Sequence, residues 1–144
     1  MMTRVLIFGC AALLAIGLSA ATFAGSITDG DSDGVPDGFD NCSALANGPL
    51  ASTGSCNGQE DGDLDGYGNP CDADVNNNGA ADLGDVSLLF AAAAATSTNP
   101  VMDLNCDGAA GLDDVSTGFA AAAAVAVPGP SGLACAGTIP CTAQ

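Results

Sequence analysis

Asp74-Val75-Asn76-Asn77-Asn78-Gly79-Ala80-Ala81-Asp82-Leu83-Gly84-Asp85, followed by Val86-Ser87-Leu88-Leu89-Phe90 and five alanines, decides how the rest of the chain is read. Oxygen-bearing side chains stand at positions 1, 3 and 5 of this twelve-residue frame, glycine at 6 and a carboxylate at 12. This is the spacing of a chain wrapped around a hard cation. Alternate residues turn their side chains inward, glycine takes the sharp turn, position 7 offers its carbonyl and position 12 closes the shell. Calcium takes roughly 6 to 8 oxygens in flexible geometry, whereas magnesium keeps its waters and demands a strict octahedron, so the frame predicts Ca2+.

Working toward the C-terminus, the frame recurs as Asp103-Leu104-Asn105-Cys106-Asp107-Gly108-Ala109-Ala110-Gly111-Leu112-Asp113-Asp114. Residues 74–95 and 103–124 are identical at 15 of 22 positions with an offset of 29, a tandem repeat. Each unit reads as a loop and then a helix, because the alanine runs have high helix propensity. Leu83, Val86 and Phe90, and likewise Leu112, Val115 and Phe119, fall at i, i+3 and i+7 and predict an apolar stripe by which the two helices pack. Asn99-Pro100 and Pro128-Gly129-Pro130 end the helices. Gly118 weakens the second helix by about 1 kcal/mol relative to alanine.

Toward the N-terminus the frame occurs twice more, as Asp29-Gly30-Asp31-Ser32-Asp33-Gly34-Val35-Pro36-Asp37-Gly38-Phe39-Asp40 and Asp61-Gly62-Asp63-Leu64-Asp65-Gly66-Tyr67-Gly68-Asn69-Pro70-Cys71-Asp72. Candidate ligands here are Asp29, Asp31, Asp33, the Val35 carbonyl, Asp37 and Asp40, then Asp61, Asp63, Asp65, the Tyr67 carbonyl and Asp72. Asp-Gly runs also make plain turns in acidic linkers. Four loops that satisfy the same five constraints argue for cation sites. Position 8, where paired loops bridge backbones, is Pro36 and Gly68 in these two loops but Ala81 and Ala110 in the others, so only the last two are expected to pair.

The duplicated loop-helix units resemble a type I dockerin over residues 74–125. The resemblance implies that Asp74, Asn76, Asn78, the Ala80 carbonyl and Asp85 hold one calcium, and Asp103, Asn105, Asp107, the Ala109 carbonyl and Asp114 another. It also implies docking onto a cohesin-like or other extracellular protein, in a polysaccharide-degrading or cell-surface complex. Where such modules carry polar and basic partner-contacting residues, this chain has Leu83-Gly84, Leu112-Asp113 and alanines. Residues 29–42, ending Asp40-Asn41-Cys42, and 59–74 resemble thrombospondin type 3 repeats, in which the chain winds irregularly around calcium and is pinned by disulfides. Ser43 replaces the proline usual after that motif, and the insertion 44–57 adds Cys56.

The expected fold is thus a small all-α, EF-hand-like paired loop-helix (dockerin-like) domain at 74–127. It is preceded by an irregular, calcium-wrapped, disulfide-pinned segment at 25–73 and followed by a tail at 128–144. Residues 1–24 read as a secretory signal peptide, with Arg4, the apolar run 5–18 containing Cys10, and small residues before Ala24. The remaining six cysteines suit an oxidising exterior. Cys135 and Cys141 are near enough in sequence to close a small loop, while Cys42, Cys56, Cys71 and Cys106 allow three pairings. Zinc is the rival use of the thiols, but no C-x-x-C occurs. Asn41-Cys42-Ser43 also matches a glycosylation sequon.

Composition narrows the function. The chain has 144 residues, 17 acids, one base and no histidine, for a net charge of -16. The one base, Arg4, cannot make the footprint that nucleic acid or an anionic membrane requires. Histidine chemistry is excluded, and the aspartates are better explained as ligands than as catalysts. The expectation is a secreted, non-catalytic calcium-binding module for extracellular adhesion or assembly.

Overall fold

The computed structural model describes residues 27–51, 56–124 and 126–141. The expected signal peptide lies outside them. Among the described residues there are two α-helices, α1 (Leu83–Ala94) and α2 (Leu112–Ala124), three short 3-10 turns (Asp37–Phe39, Asn69–Cys71 and Pro100–Met102) and no strand. No described helix is long and apolar enough to cross a membrane. The structure is small and all-α, with three disulfides: Cys42–Cys71, Cys56–Cys106 and Cys135–Cys141. All six thiols expected outside the leader are therefore consumed, which removes the zinc alternative and fits an oxidising environment.

Helix α1 starts where its sequence says it should. Asp82 caps it, accepting the Gly84 N–H at 2.6 Å, while Asp85 reaches back to the Asp82 N–H at 2.8 Å, a reciprocal capping box. In α2 the equivalent Asp114 accepts the Gly111 N–H at 2.7 Å. Both acids are 0% exposed. Because each must point into its loop, it fixes the rotation of its helix. The faces turned inward therefore carry Asp85, Val86 and Leu89, and Asp114, Val115 and Gly118.

This corrects the expected stripe. Val86 and Val115 are buried, but Leu83 (69%), Phe90 (53%), Leu112 (72%) and Phe119 (57%) are exposed. Hydrophobic periodicity alone places the stripe one flank away from where the closing carboxylate sets it. The core is correspondingly small: Val75, Val86, Leu89, Leu104 and Val115, with Val101, Met102 and several alanines packed around it.

The position-8 backbones pair differently from expectation as well. Ala81 N–H donates to the Ala126 carbonyl at 2.9 Å and Ala110 N–H to the Ser97 carbonyl at 2.8 Å. Each loop thus bonds to the chain leaving the other helix, not to its fellow loop. Both donors and both acceptors are 29 residues apart, so the helices run antiparallel about a pseudo-two-fold axis. Leu89 and Gly118 are equivalent by the same offset, and they meet. A Cβ on Gly118 would collide with Leu89 Cδ1. Glycine is placed there because two large side chains cannot share the same spot beside the axis.

The remaining segments pack on one another and on the loops. Residues 128–141 return across the first half: Gly129 N–H reaches the Cys71 carbonyl (3.1 Å), Gly132 N–H that of Asp40 (2.8 Å), and Gly137 N–H that of Asp65 (2.8 Å). Contacts also cross residue 73, through Cys56–Cys106 and through Asn69, whose amide donates to the Pro100 and Asp103 carbonyls.

Candidate metal centre

All four loops adopt one backbone. Position 6 has positive φ in each, at Gly34 (94°), Gly66 (92°), Gly79 (98°) and Gly108 (103°). So does position 4, at Ser32 (64°), Leu64 (63°), Asn77 (58°) and Cys106 (56°), where a non-glycine residue rarely sits. The hydrogen bonds repeat too. The position-1 carboxylate of Asp29, Asp61, Asp74 or Asp103 accepts the N–H of its position-6 glycine at 2.6–3.1 Å. The position-5 side chain of Asp33, Asp65, Asn78 or Asp107 accepts the N–H of position 7 at 2.8–3.2 Å. These bonds hold the position-1 and position-5 side chains against the turn of their own loop. No donor among the described residues reaches the carbonyls of Val35, Tyr67, Ala80 or Ala109.

The loops differ in how they close. In the third and fourth, the position-12 carboxylate is bound by its own loop. Asp85 accepts Asn76 N–H (3.1 Å) and Asp82 N–H, and Asp114 accepts Leu104 N–H (2.8 Å), Asn105 N–H (3.1 Å) and Gly111 N–H. Around them, Asn105 Nδ2 donates to Asp107 and Asp113. In the first and second loops positions 9–11 form a 3-10 turn, and the position-9 side chain accepts the position-2 N–H: Gly30 N–H to Asp37 (2.6 Å) and Gly62 N–H to Asn69 (2.8 Å). Asp40 and Asp72 then accept an N–H two residues further on, from Cys42 and Asp74 (2.9 Å each).

One carboxylate oxygen of each of Asp29, Asp31 and Asp33 lies within 4.8 Å of the others, as do those of Asp61, Asp63 and Asp65; these groups could hold a metal ion. Asp31 Oδ2 and Asp40 Oδ2 are buried without any hydrogen-bond partner, and Asp40 is 0% exposed. Leaving a buried carboxylate oxygen unpaired is costly, and a cation is the group that would satisfy it.

Burial also sets the charge state of the protein without metal. It pushes Asp72 up to about 8, helped by the Asp65, Asp63 and Asp74 carboxylates, and pushes Asp65 up to about 6, helped by Asp63, Asp61 and Asp74. Burial likewise raises Asp31, Asp40 and Asp61. Packed carboxylates with no counter-charge cannot all ionise.

The sequence pattern misses several supporting groups. Asn47 and Gly48 donate their N–H groups to Asp33 Oδ2 (2.9 and 2.5 Å), and Gln59 Nε2 donates to Asp40 Oδ1 (2.9 Å). They come from the insertion after Cys42 and its edge, and carry no signature. Asn69 could have been found by aligning the first two loops, where it stands opposite Asp37. The sequon is closed off, because Asn41 is 4% exposed and its Nδ2 donates to the Gln59 carbonyl at 3.0 Å.

Compared with known protein families, curated proteins and solved structures, the chain matches none.

Proposed function

We propose that this chain is a secreted, non-catalytic calcium-binding module whose folding is coupled to the metal, serving in extracellular adhesion or assembly. The observation that carries it is the pair of buried, partnerless oxygens, Asp31 Oδ2 and Asp40 Oδ2, the first of them within the Asp29, Asp31 and Asp33 group. The ligands would be the set expected from the four frames, Asp29 to Asp114, with hard oxygens and no sulfur or nitrogen donor, the chemistry calcium favours. Four ions would roughly halve the charge and relieve the self-repulsion that opposes compaction. Isothermal calorimetry should give two to four ions per chain, and circular dichroism and scattering should show a compact chain in millimolar calcium that expands in chelator. Fewer than two ions, or indistinguishable profiles, would overturn the proposal.

A second reading adds a protein partner, and the helix surface favours it. A two-fold relating antiparallel neighbours runs perpendicular to their common plane, so Leu83 and Phe90 share a face with Leu112 and Phe119. All four are exposed, and no charged residue occurs in 86–102 or after 114. A duplicated apolar face of this kind supports docking onto a cohesin-like protein. Pull-down with cohesin modules, using Phe90→Ser with Phe119→Ser and separately Asp74→Ala with Asp103→Ala, tests it. Capture unaffected by either pair would remove the reading.

A further inference from the structure

The second loop is joined to the fourth by a side chain that the other loops lack. Asn69, at position 9, is 7% exposed. Its Oδ1 accepts the Gly62 N–H of its own loop at 2.8 Å, while its Nδ2 donates to the carbonyls of Pro100 (2.8 Å) and Asp103 (3.1 Å). Asp103 is position 1 of the fourth loop, and Pro100 opens the 3-10 turn that leads into it. The equivalent residue in the first loop, Asp37, accepts from Gly30 in the same manner but has no donor to extend outward. An amide in place of a carboxylate keeps the bond within the loop and adds two bonds across to another.

The backbone around it is fitted to the contact. A Cβ on Gly62 would lie 2.6 Å from Val101 N and 2.7 Å from Pro100 C, so only glycine lets the two chains approach this closely. At the equivalent Gly30 the nearest atoms are 3.4 Å away. Cys106, position 4 of the fourth loop, is held on the same side by its disulfide to Cys56. The second loop and the lead-in to the fourth are therefore held together at the Gly62 approach, at Asn69 and through Cys56–Cys106, and of these Asn69 is the one whose side chain hydrogen-bonds both within its own loop and across to the other.

We infer that Asn69 couples cation binding in the second and fourth loops, so that filling either raises the affinity of the other. The coupling rests on the calcium reading above. Ordering of the second loop by an ion holds Gly62 and Asn69 together, which presents the Asn69 Nδ2 to the Asp103 and Pro100 carbonyls and orders the start of the fourth loop before its ion arrives. By linkage the effect is reciprocal. The first loop, with Asp37, is outside this pair.

The test is a double-mutant cycle on the full chain, read by nuclear magnetic resonance from the Gly66 and Gly108 amides, whose N–H groups report the second and fourth loops separately. Disabling the fourth loop with Asp103→Ala should weaken calcium binding at Gly66 by about 5-fold, the lower end of ordinary coupling between sites. In an Asn69→Asp background, which keeps the Gly62 bond and removes both cross-loop donors, the same Asp103→Ala step should leave the second loop's affinity unchanged. Two loops that titrate independently in the Asn69 protein would overturn the coupling and leave calcium binding standing. Equal coupling in the Asn69→Asp protein would overturn the role of Asn69. If neither amide responds to calcium, the underlying calcium reading fails, and the coupling with it. Since Asp103→Ala in the native background leaves Asn69 untouched, the first arm decides even if Asn69→Asp fails to fold.

Discussion

The first two loops and the last two share a backbone and part company at their twelfth residue. Asp85 and Asp114 have both oxygens bound by their own loops and sit at the first turn of a helix that packs on its partner. Asp40 has one oxygen bound and one orphaned, and no helix comes after it. The same local wrap can therefore present its closing carboxylate with both oxygens held by backbone N–H groups or with one left bare. In the last two loops the second oxygen is taken by an N–H just before the helix, from Asp82 or Gly111, whereas no donor reaches the second oxygen of Asp40.

The largest test of this contrast is chelation followed by hydrogen exchange. With calcium at ~100 times its dissociation constant, linkage to a single site changes the opening equilibrium by ~100-fold. Amides of Gly34, Val35, Asn47 and Gly48 should lose protection by that order on chelation, while those inside α1 and α2 change much less. Equal loss in both regions would break the comparison.

The helical pair has its own support, which mutation can isolate. Leu89→Ala should cost about 2–5 kcal/mol in thermal or denaturant unfolding of the calcium-loaded chain. Gly118→Leu alone should be as damaging, because its side chain meets Leu89. Exchanging them, Leu89→Gly with Gly118→Leu, should recover most of the loss, since the large side chain then approaches the axis from the other helix. No recovery would refute the pseudo-two-fold account.

Asp40→Asn should act with opposite signs in the two conditions. It should destabilise the calcium-loaded chain by removing a ligand. In chelator it should stabilise, because it removes a buried charge that has no counter-charge, where Asp85→Asn, whose oxygens are both bound by N–H groups, would not. One sign in both conditions would mean that the orphaned oxygen is not where the ion binds.

The smallest effect is with pH. Asp65 and Asp72 have folded values above those of the unfolded chain, so the metal-free folded state holds more protons between roughly pH 4 and pH 8. Their contribution is most favourable at the acidic end and is lost as pH rises through about 6 and then about 8. Melting temperature in chelator should fall across that window, and Asp72→Asn should flatten its upper part.

The loops were legible because ligand spacing is local: five residue types at fixed intervals prescribe the wrap, and the positive φ values at positions 4 and 6 accompany it. The helices were legible from alanine runs and from the loops that precede them. Their rotation was not, since Leu83 and Phe90 score as core by period while the inward demand of Asp85, a polar residue, overrides them. The partners of Cys42 and Cys56 lie 29 and 50 residues away, and nothing local distinguishes them. Asn69 was missed because position 9 lies outside the constrained positions of the frame, and nothing in the spacing shows that its amide accepts within one loop while donating to another.

The return of residues 128–141 over the first half has a consequence for the order of events in making the protein. Asp40, Leu64 and Asp65 in the first two loops accept hydrogen bonds from Gly132, Cys141 and Gly137, and Cys56 waits for Cys106. Domains commonly fold in the order they are synthesised. Here the earliest loops to emerge are the last whose surroundings are complete, so the native first half is a product of the finished chain.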